Sequence, residues 1–364
     1  MLDKQEELQQ GMDALWKKRP LIISGPCSAE TEEQLVNTAI RLKATGKVDV
    51  LRAGIWKPRT RPGHFEGVGA IGLPWLQEAK RITGLPVAIE VAAGKQVEEA
   101  LASGVDMLWI GARTTVNPFS VQEVADALKG VEIPVFIKNP LNADIELWIG
   151  ALERVQEAGI SKVGLIHRGF SSYGNTEFRN APMWHLAIEM KRRYPGIPFL
   201  IDPSHICGNR HMLQEVTQNA IDLDYDGAII ESHIDPDKAW SDAQQQIVPE
   251  RLKELMESIV WRKETIVSEE LDEQLEKLRQ RINQLDDEVL HLLSNRMKLA
   301  EQIGQYKRDN NITILQTKRW NEVLERVCKN GAKMGLSPDF VKQYFDAIHM
   351  ESIKHQDMIM NEHG

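Results

Sequence analysis

The chain has 364 residues, 42% hydrophobic and 27% charged, with a formal net charge of −9. That length leaves room for two domains, one of them large enough for a barrel, and the mix is that of a soluble globular protein. An acidic chain is not built for nucleic acid, no apolar run approaches a membrane span, and the polar N-terminus is not a signal peptide. The three cysteines, Cys27, Cys207 and Cys328, are too widely spaced for a disulfide framework and fit a reducing cytoplasm.

Residues 1–19 read as a short helix and lead-in. Eight short apolar runs then recur with helical segments between them, at 21–23, 48–51, 87–89, 107–110, 135–137, 163–166, 199–201 and 228–230. Eight such runs over roughly 240 residues fit a TIM (β/α)8 barrel, with a doubly wound open sheet as the alternative. The residues at the C-terminal edges of the runs favour the barrel. Cys27, Arg52, Glu90, Arg113, Lys138, His167 with Arg168, His205 and Glu231 each stand just beyond a different run. An open sheet brings only the strands near its switch point to a ligand, whereas a closed barrel gathers all eight C-terminal ends at one mouth.

The densest cluster lies after the second run: Arg52, Lys57, Pro58, Arg59 and Thr60. Arg offers bidentate forks, Lys a point charge and Thr a hydroxyl, which together suit a small, dense anion such as a phosphate with a carboxylate. Pro58 fixes the backbone within the cluster. Arg52, Lys57, Arg113, Lys138 and Arg168 would converge in a barrel mouth and repel one another unless a multiply charged anion neutralised them. Cys27, His205, Glu231 and Asp242 offer one sulfur, one nitrogen and two oxygens, a donor set for a divalent transition ion. Spacing alone leaves a second reading open, a buried small thiol and a hydrogen-bonded loop histidine.

The motifs Gly25-Pro26-Cys27-Ser28, Arg52 with Lys57-Pro58-Arg59-Thr60, Gly111-Ala112-Arg113-Thr114-Thr115, Asp202-Pro203-Ser204-His205 and the run from Ser241 to Gln246 stand in order along residues 18–262. This stretch resembles 3-deoxy-D-arabino-heptulosonate-7-phosphate (DAHP) synthase of the shorter, type I-beta-like subfamily. The related synthase for the eight-carbon acid sugar phosphate carries Lys-Ala-Asn-Arg where this chain has Lys57-Pro58-Arg59-Thr60, which favours erythrose 4-phosphate as the aldehyde substrate. The resemblance implies that Cys27, His205, Glu231 and Asp242 bind a divalent metal, Mn2+ first, with Fe2+, Co2+ or Zn2+ as alternatives. It implies that Arg52, Lys57, Arg113, Lys138 and Arg168 hold phosphoenolpyruvate beside Glu90, that Pro58, Arg59 and Thr60 serve erythrose 4-phosphate, and that Lys57 is catalytic.

After the last barrel helix, residues 263–267 read as a linker, and Ser268 before Glu269 and Glu270 reads as a helix N-cap. Leu271, Leu275, Leu278, Ile282, Leu285, Val289, Leu292, Leu299, Ile303 and Tyr306 then keep a 3–4 spacing with no proline between them. That predicts one helix of about 40 residues, about 60 Å long. A domain of ~100 residues has a radius of gyration of about 13 Å and cannot bury such a helix alone, so an intertwined homodimer is the expected solution. Arg296 interrupts the apolar seam where a register-setting residue or an anion ligand belongs. Two more helices are expected, over 318–333 and 339–360.

The all-α tail is similar to chorismate mutase of the all-helical class over about residues 268–360. The match is carried by Leu278, Arg279, Leu285, Asp286, Arg296, Gly304 and Lys307, with Ser352 and Gln356 in the last helix. The resemblance implies that Arg279 of one chain and Arg296 of the other bind the two carboxylates of chorismate, that Lys307 and Gln356 stabilise the breaking ether oxygen, and that Ser352 assists a carboxylate. The family presents an acid, an Arg and a Glu where this chain has Gln316, Arg319 and Trp320, so Trp320 fills the position that ordinarily meets the ring hydroxyl.

The expectation is therefore a bifunctional cytoplasmic enzyme of aromatic amino-acid biosynthesis. It comprises a synthase over 1–262, a linker over 263–267 and a mutase over 268–364, acting as a homodimer with neither nucleic acid nor membrane as partner. The competing expectation is a synthase whose tail chiefly dimerises and senses prephenate, the candidate allosteric inhibitor.

Overall fold

A computed structural model describes residues 4–58, 63–174, 177–262 and 268–361. The chain divides into two compact units, Met1–Glu264 and Thr265–Gly364. In the first, eight parallel strands close into a barrel: β1 (Leu21–Gly25), β2 (Val50–Arg52), β3 (Val87–Val91), β4 (Met107–Ile110), β5 (Val135–Lys138), β6 (Val163–His167), β7 (Phe199–Ile201) and β8 (Gly227–Glu231). Closure is made by β1 on β8, with Leu21 opposite Gly227 and Gly25 opposite Glu231. Arg52, Lys138, His167 and Glu231 are the last residues of their strands, so the ladder itself carries them to the mouth.

Side chains alternate across each strand. Leu21, Ile23, Val50, Met107, Trp109, Phe136, Ile166, Leu200 and Ile229 point inward and fill the barrel. Their neighbours Ile22, Leu51, Leu108, Ile137 and Leu165 point outward to a second core under the helices. Leu15 and Trp16 of the N-terminal helix Lys4–Lys17 pack against the inner core, with the Trp16 and Phe136 rings 5.4 Å apart. Close approach at the mouth explains Gly25: a Cβ there would stand 2.0 Å from the Arg52 carbonyl oxygen.

The second unit holds three helices: a long one, Glu269–Asp309, a middle one, Thr317–Lys333, and a last one, Pro338–Asn361. Ser268 caps the long helix, accepting from the Leu271 N–H, and the 41 residues extend about 60 Å. The last helix packs against both others. Gly304 allows the close crossing, since a Cβ there would lie 3.1 Å from Gln356 Cα. Only the C-terminal part of the long helix is covered, where Ala300, Gly304 and Lys307 are buried; Leu278, Leu285 and Leu292 are exposed by 61%, 53% and 68%. No described helix is long and apolar enough to cross a membrane.

Candidate active sites

At the barrel mouth Arg52, Lys57, Lys138 and Arg168 are buried, and Arg52 and Lys138 are tied to acids and to an aromatic face. Arg52 is 1% exposed; its Nη2 lies 3.2 Å from Glu231 Oε1, while Nε and Nη1 have no hydrogen-bond partner. Lys138 Nζ lies 2.7 Å from Asp202 Oδ2. Between them stands Trp109, its ring centroid 4.9 Å from the Arg52 guanidinium carbon and 5.8 Å from Lys138 Nζ. Its indole N–H donates to Glu90 Oε2 at 3.2 Å. Gly111 leaves room for that carboxylate, because a Cβ there would meet Glu90 Oε1 at 2.0 Å. Arg168 is pulled down to about 10 by burial, with Arg179 and Arg113 adding to the effect and Asp202 opposing it. Buried cations with orphaned donors are poised for an anion.

Beside them the structure gathers Cys27, Glu231 and Asp242, whose ligand atoms lie within 4.8 Å of one another. Cys27 Sγ is 3.3 Å from Asp242 Oδ2 and receives Lys57 Nζ at 3.0 Å. His205 stands at the edge of this group, outside the mutual 4.8 Å set, with Nε2 3.7 Å from Glu231 Oε1 and Nδ1 2.8 Å from Asp202 Oδ2. The run after β8 holds the group together. Gln246 accepts from the Cys27 N–H at 2.9 Å, Gln245 donates to Glu231 Oε2 at 2.7 Å, and Arg179 Nη1 donates to Asp242 Oδ1 at 3.0 Å. Asp242 adopts a left-handed conformation, φ 50°, which aspartate tolerates.

The charge balance of this group fits a cation. Burial pushes the Cys27 thiol up to about 12, with Glu231 acting in the same direction and Lys57 against it. Burial would raise Glu231 and Asp242 as well, yet His205, Arg52 and Lys57 hold Glu231 below its ordinary value, and Arg179, His205 and Lys57 do so for Asp242. Burial lowers His205, with Asp202 and Glu231 pulling the other way. Glu231 Oε1 is buried without a hydrogen-bond partner, its cationic neighbours Arg52 Nη2 and His205 Nε2 standing at 3.2 Å and 3.7 Å. A thiol, two carboxylates and an imidazole are the donors that a divalent transition ion takes. Lys57 stays protonated: burial alone would lower it, but Cys27 and Glu231 outweigh burial and raise it. Arg59 and Thr60 lie outside the described residues; Pro58 leads into that stretch.

In the second unit, Arg296, Lys307, Gln316, Arg319, Ser352 and Gln356 all line one cavity of about 440 Å3, together with Trp320 and His349. Arg296 Nη1 donates to Ser352 Oγ, and Lys307 Nζ donates to Gln356 Oε1 at 3.0 Å and to the Ile314 carbonyl. Burial lowers both Arg296 and Lys307, with no acid among the lining residues to compensate them. Arg279 lies elsewhere, 17 positions or about 25 Å up the long helix, exposed and 3.8 Å from Glu276. Two residues escape a reading of the sequence. Trp109 sits inside an apolar run and reads as core; His349 precedes Ser352 by three positions, the one signal that it shares the face of Ser352 and Gln356.

Comparison with known proteins also divides the chain in two. Residues 3–269 match the DAHP synthetase I family, and residues 278–357 match chorismate mutase type II. A phospho-2-dehydro-3-deoxyheptonate aldolase of Thermotoga maritima is 34% identical over 238 residues, covering 65% of this chain and 68% of that protein. A 2-dehydro-3-deoxyphosphooctonate aldolase of Alkalilimnicola ehrlichii is 28% identical over 261 residues, covering 66% and 90%. A crystal structure of the Thermotoga maritima DAHP synthase superposes with a TM-score of 0.59 at 33% identity, covering 65% of this chain and 67% of that one. The chain therefore belongs to the DAHP synthetase I family and carries a chorismate mutase type II domain behind its barrel.

Proposed function

We propose how individual residues carry the two reactions of this bifunctional enzyme, DAHP synthase in the barrel and chorismate mutase in the helical unit. In the barrel, Arg52, Lys57, Arg113, Lys138 and Arg168 hold the phosphate and carboxylate of phosphoenolpyruvate, with Glu90 and Trp109 spacing the cations. Arg59 and Thr60, after Pro58, take the phosphate of erythrose 4-phosphate. The enol carbon of phosphoenolpyruvate bonds to the aldehyde carbon, water adds at the adjoining carbon, and phosphate leaves. Lys57, protonated beside Cys27, is placed to deliver a proton to the aldehyde oxygen as it becomes a hydroxyl.

The family works with a divalent metal, and Cys27, His205, Glu231 and Asp242 would hold it. The resemblance to the family puts Mn2+ first, with Fe2+, Co2+ and Zn2+ as alternatives. Bound there, such an ion polarises the aldehyde oxygen. The observation that carries the barrel assignment is the convergence of buried Cys27 and Glu231 with half-buried Asp242, where Lys57 donates to Cys27. Metal content and synthase rate measured together in Cys27→Ala test it; full metal occupancy with full activity would defeat it.

For the mutase, Arg296 and Arg279 of the partner subunit bind the chorismate carboxylates, with Ser352 and Arg319 assisting and Gln316 at the rim. Lys307 and Gln356 meet the ether oxygen as its bond breaks. The pericyclic rearrangement needs no nucleophile or base, only a held conformer and donors where negative charge develops. The exposed stripe through Leu278, Leu285 and Leu292 supports a homodimer along the long helix, which would bring Arg279 to the other chain's cavity. Residues 263–267 act as linker between 1–262 and 268–364, prephenate acts as an inhibitor of the synthase, and the three free thiols fit a cytoplasmic enzyme.

A further inference from the structure

We propose that His349, clamped by Trp320, is the group that recognises the ring hydroxyl of the substrate in the helical cavity, in place of the carboxylate that Trp320 displaces. The inference rests on the mutase reading of that cavity and assigns a residue that this reading leaves without a role. The two rings stack face to face, with centroids 3.9 Å apart and planes 7° from parallel. A parallel stack covers the imidazole face and fixes its rotation while leaving its nitrogen-bearing edge for contact. His349 shares a helix face with Ser352 and Gln356, three and seven positions on, and lines the same cavity.

Two of the other neutral groups are committed. Ser352 Oγ accepts from Arg296 and donates to the Ile348 carbonyl at 2.8 Å, and Gln356 Oε1 accepts from Lys307 at 3.0 Å. Gln316 is exposed at the rim. His349 Nε2, by contrast, is buried with no hydrogen-bond partner. Burial first, then Arg296 and Lys307, with Asp346 opposing, lowers His349 and keeps it neutral, so the ring offers one donor and one acceptor. The cavity therefore divides its work. Arg296, Lys307 and Arg319 meet the anionic groups, and the His349–Trp320 pair meets the uncharged, hydroxyl-bearing side of the ring. His349 touches substrate; Trp320 is a positioning residue that acts through it.

The test compares chorismate with an analogue whose ring hydroxyl is replaced by hydrogen, reading kcat/KM by loss of substrate absorbance and Kd by calorimetry on the full-length protein. The wild type is expected to prefer chorismate by roughly tenfold or more, the scale of a buried hydrogen bond to a hydroxyl. His349→Phe keeps a ring to stack on Trp320 but has no nitrogen. It should lose that preference by weakening chorismate alone, and His349→Gln should recover part of it. Trp320→Leu should behave like His349→Phe, and Trp320→Phe like the wild type. Far-ultraviolet dichroism shows that each variant keeps its helices. An equal loss on both ligands, or an undiminished preference in His349→Phe, overturns the proposal. A wild type that binds chorismate with the preference but does not turn it over contradicts the mutase reading while leaving this one standing, because Kd reports recognition independently of turnover.

Discussion

Replacing Arg296 with alanine should separate catalysis from stability in the helical unit. The Arg296 guanidinium is half-buried, donates to Ser352 Oγ and to the Ile348 carbonyl at 3.5 Å, and has no acid beside it among the cavity residues. Its charge is disfavoured by burial in the folded state. Removing it therefore relieves a desolvated cation, and Ser352 keeps its own bond to Ile348, so thermal stability should change by no more than about 1 kcal/mol in either direction. The transition state, in which the substrate anion occupies that guanidinium, should lose about 2–4 kcal/mol, the usual cost of deleting a preorganised donor. That is roughly thirty- to thousandfold in kcat/KM. The assay is the disappearance of chorismate absorbance, set beside thermal melts of the same preparations. Mixing Arg296→Ala with Arg279→Ala should restore part of the rate if each cavity draws Arg279 from the partner subunit. Loss below about fivefold, or a rate loss matched by an equal loss of stability, would refute the role of Arg296 as an anion ligand. No recovery in mixed dimers with confirmed subunit exchange would refute the shared cavity.

Three further outcomes are expected. A strong chelator, or Cys27→Ala, should abolish phosphoenolpyruvate consumption and spare chorismate turnover, since the sulfur, nitrogen and oxygen donors lie in the barrel; synthase activity surviving in chelator would remove the metal from the mechanism. Trp109→Leu should raise the KM for phosphoenolpyruvate about tenfold by withdrawing the π face between Arg52 and Lys138, with Trp109→Phe closer to wild type; an unchanged KM would reduce Trp109 to core packing. His349 is held below its ordinary value of 6.5 in the fold, so the unfolded chain takes up the proton first as pH falls. Stability of the helical unit should drop as pH falls through about 6.5 and level off below the folded value, and His349→Phe should lack that component in urea titrations.

The residues that sequence revealed are those whose position the backbone alone dictates. Arg52, Lys138 and Glu231 end apolar runs, and in a closed parallel barrel the end of a run is the mouth, so reading strands was already reading the site. Cys27 and Asp242, 215 positions apart, meet because β1 pairs with β8, a closure foretold by the count of eight runs and by the polar residue that ends each of them. Trp109 was hidden because a tryptophan between Leu108 and Ile110 looks like core until closure turns its face between two cations. His349 was hidden for the opposite reason. A lone histidine on an amphipathic helix carries no pattern, and only the packing of the middle helix sets Trp320 against it. The long helix was legible to within a residue at its start, because Ser268 and the acids after it form a complete N-terminal signal.

The two activities on one chain raise the question of control, and the structure narrows where it can arise. The helix Lys4–Lys17 before β1 packs against the inner core through Leu15 and Trp16. The helical cavity, by contrast, carries Arg296 and Lys307 desolvated and without acidic neighbours, so a dianion that fills it relieves a standing electrostatic cost and tightens that unit. Prephenate, the product formed there, lies downstream of the barrel's own reaction and has the required charge. We infer that its binding to the helical unit lowers the synthase rate. Coupling of this kind is worth about 1–3 kcal/mol, so phosphoenolpyruvate consumption should fall about 5–150-fold in apparent affinity at saturating prephenate. A 1–262 truncation keeps the closed sheet, both barrel cores and the donors around Cys27, and should keep the chemistry while losing the inhibition. Arg296→Ala in the full chain should likewise blunt inhibition without touching the basal synthase rate, because it weakens the ligand and not the barrel. Equal prephenate sensitivity in the truncation and the full chain, or none in the full chain, would mean that the two units are merely tethered.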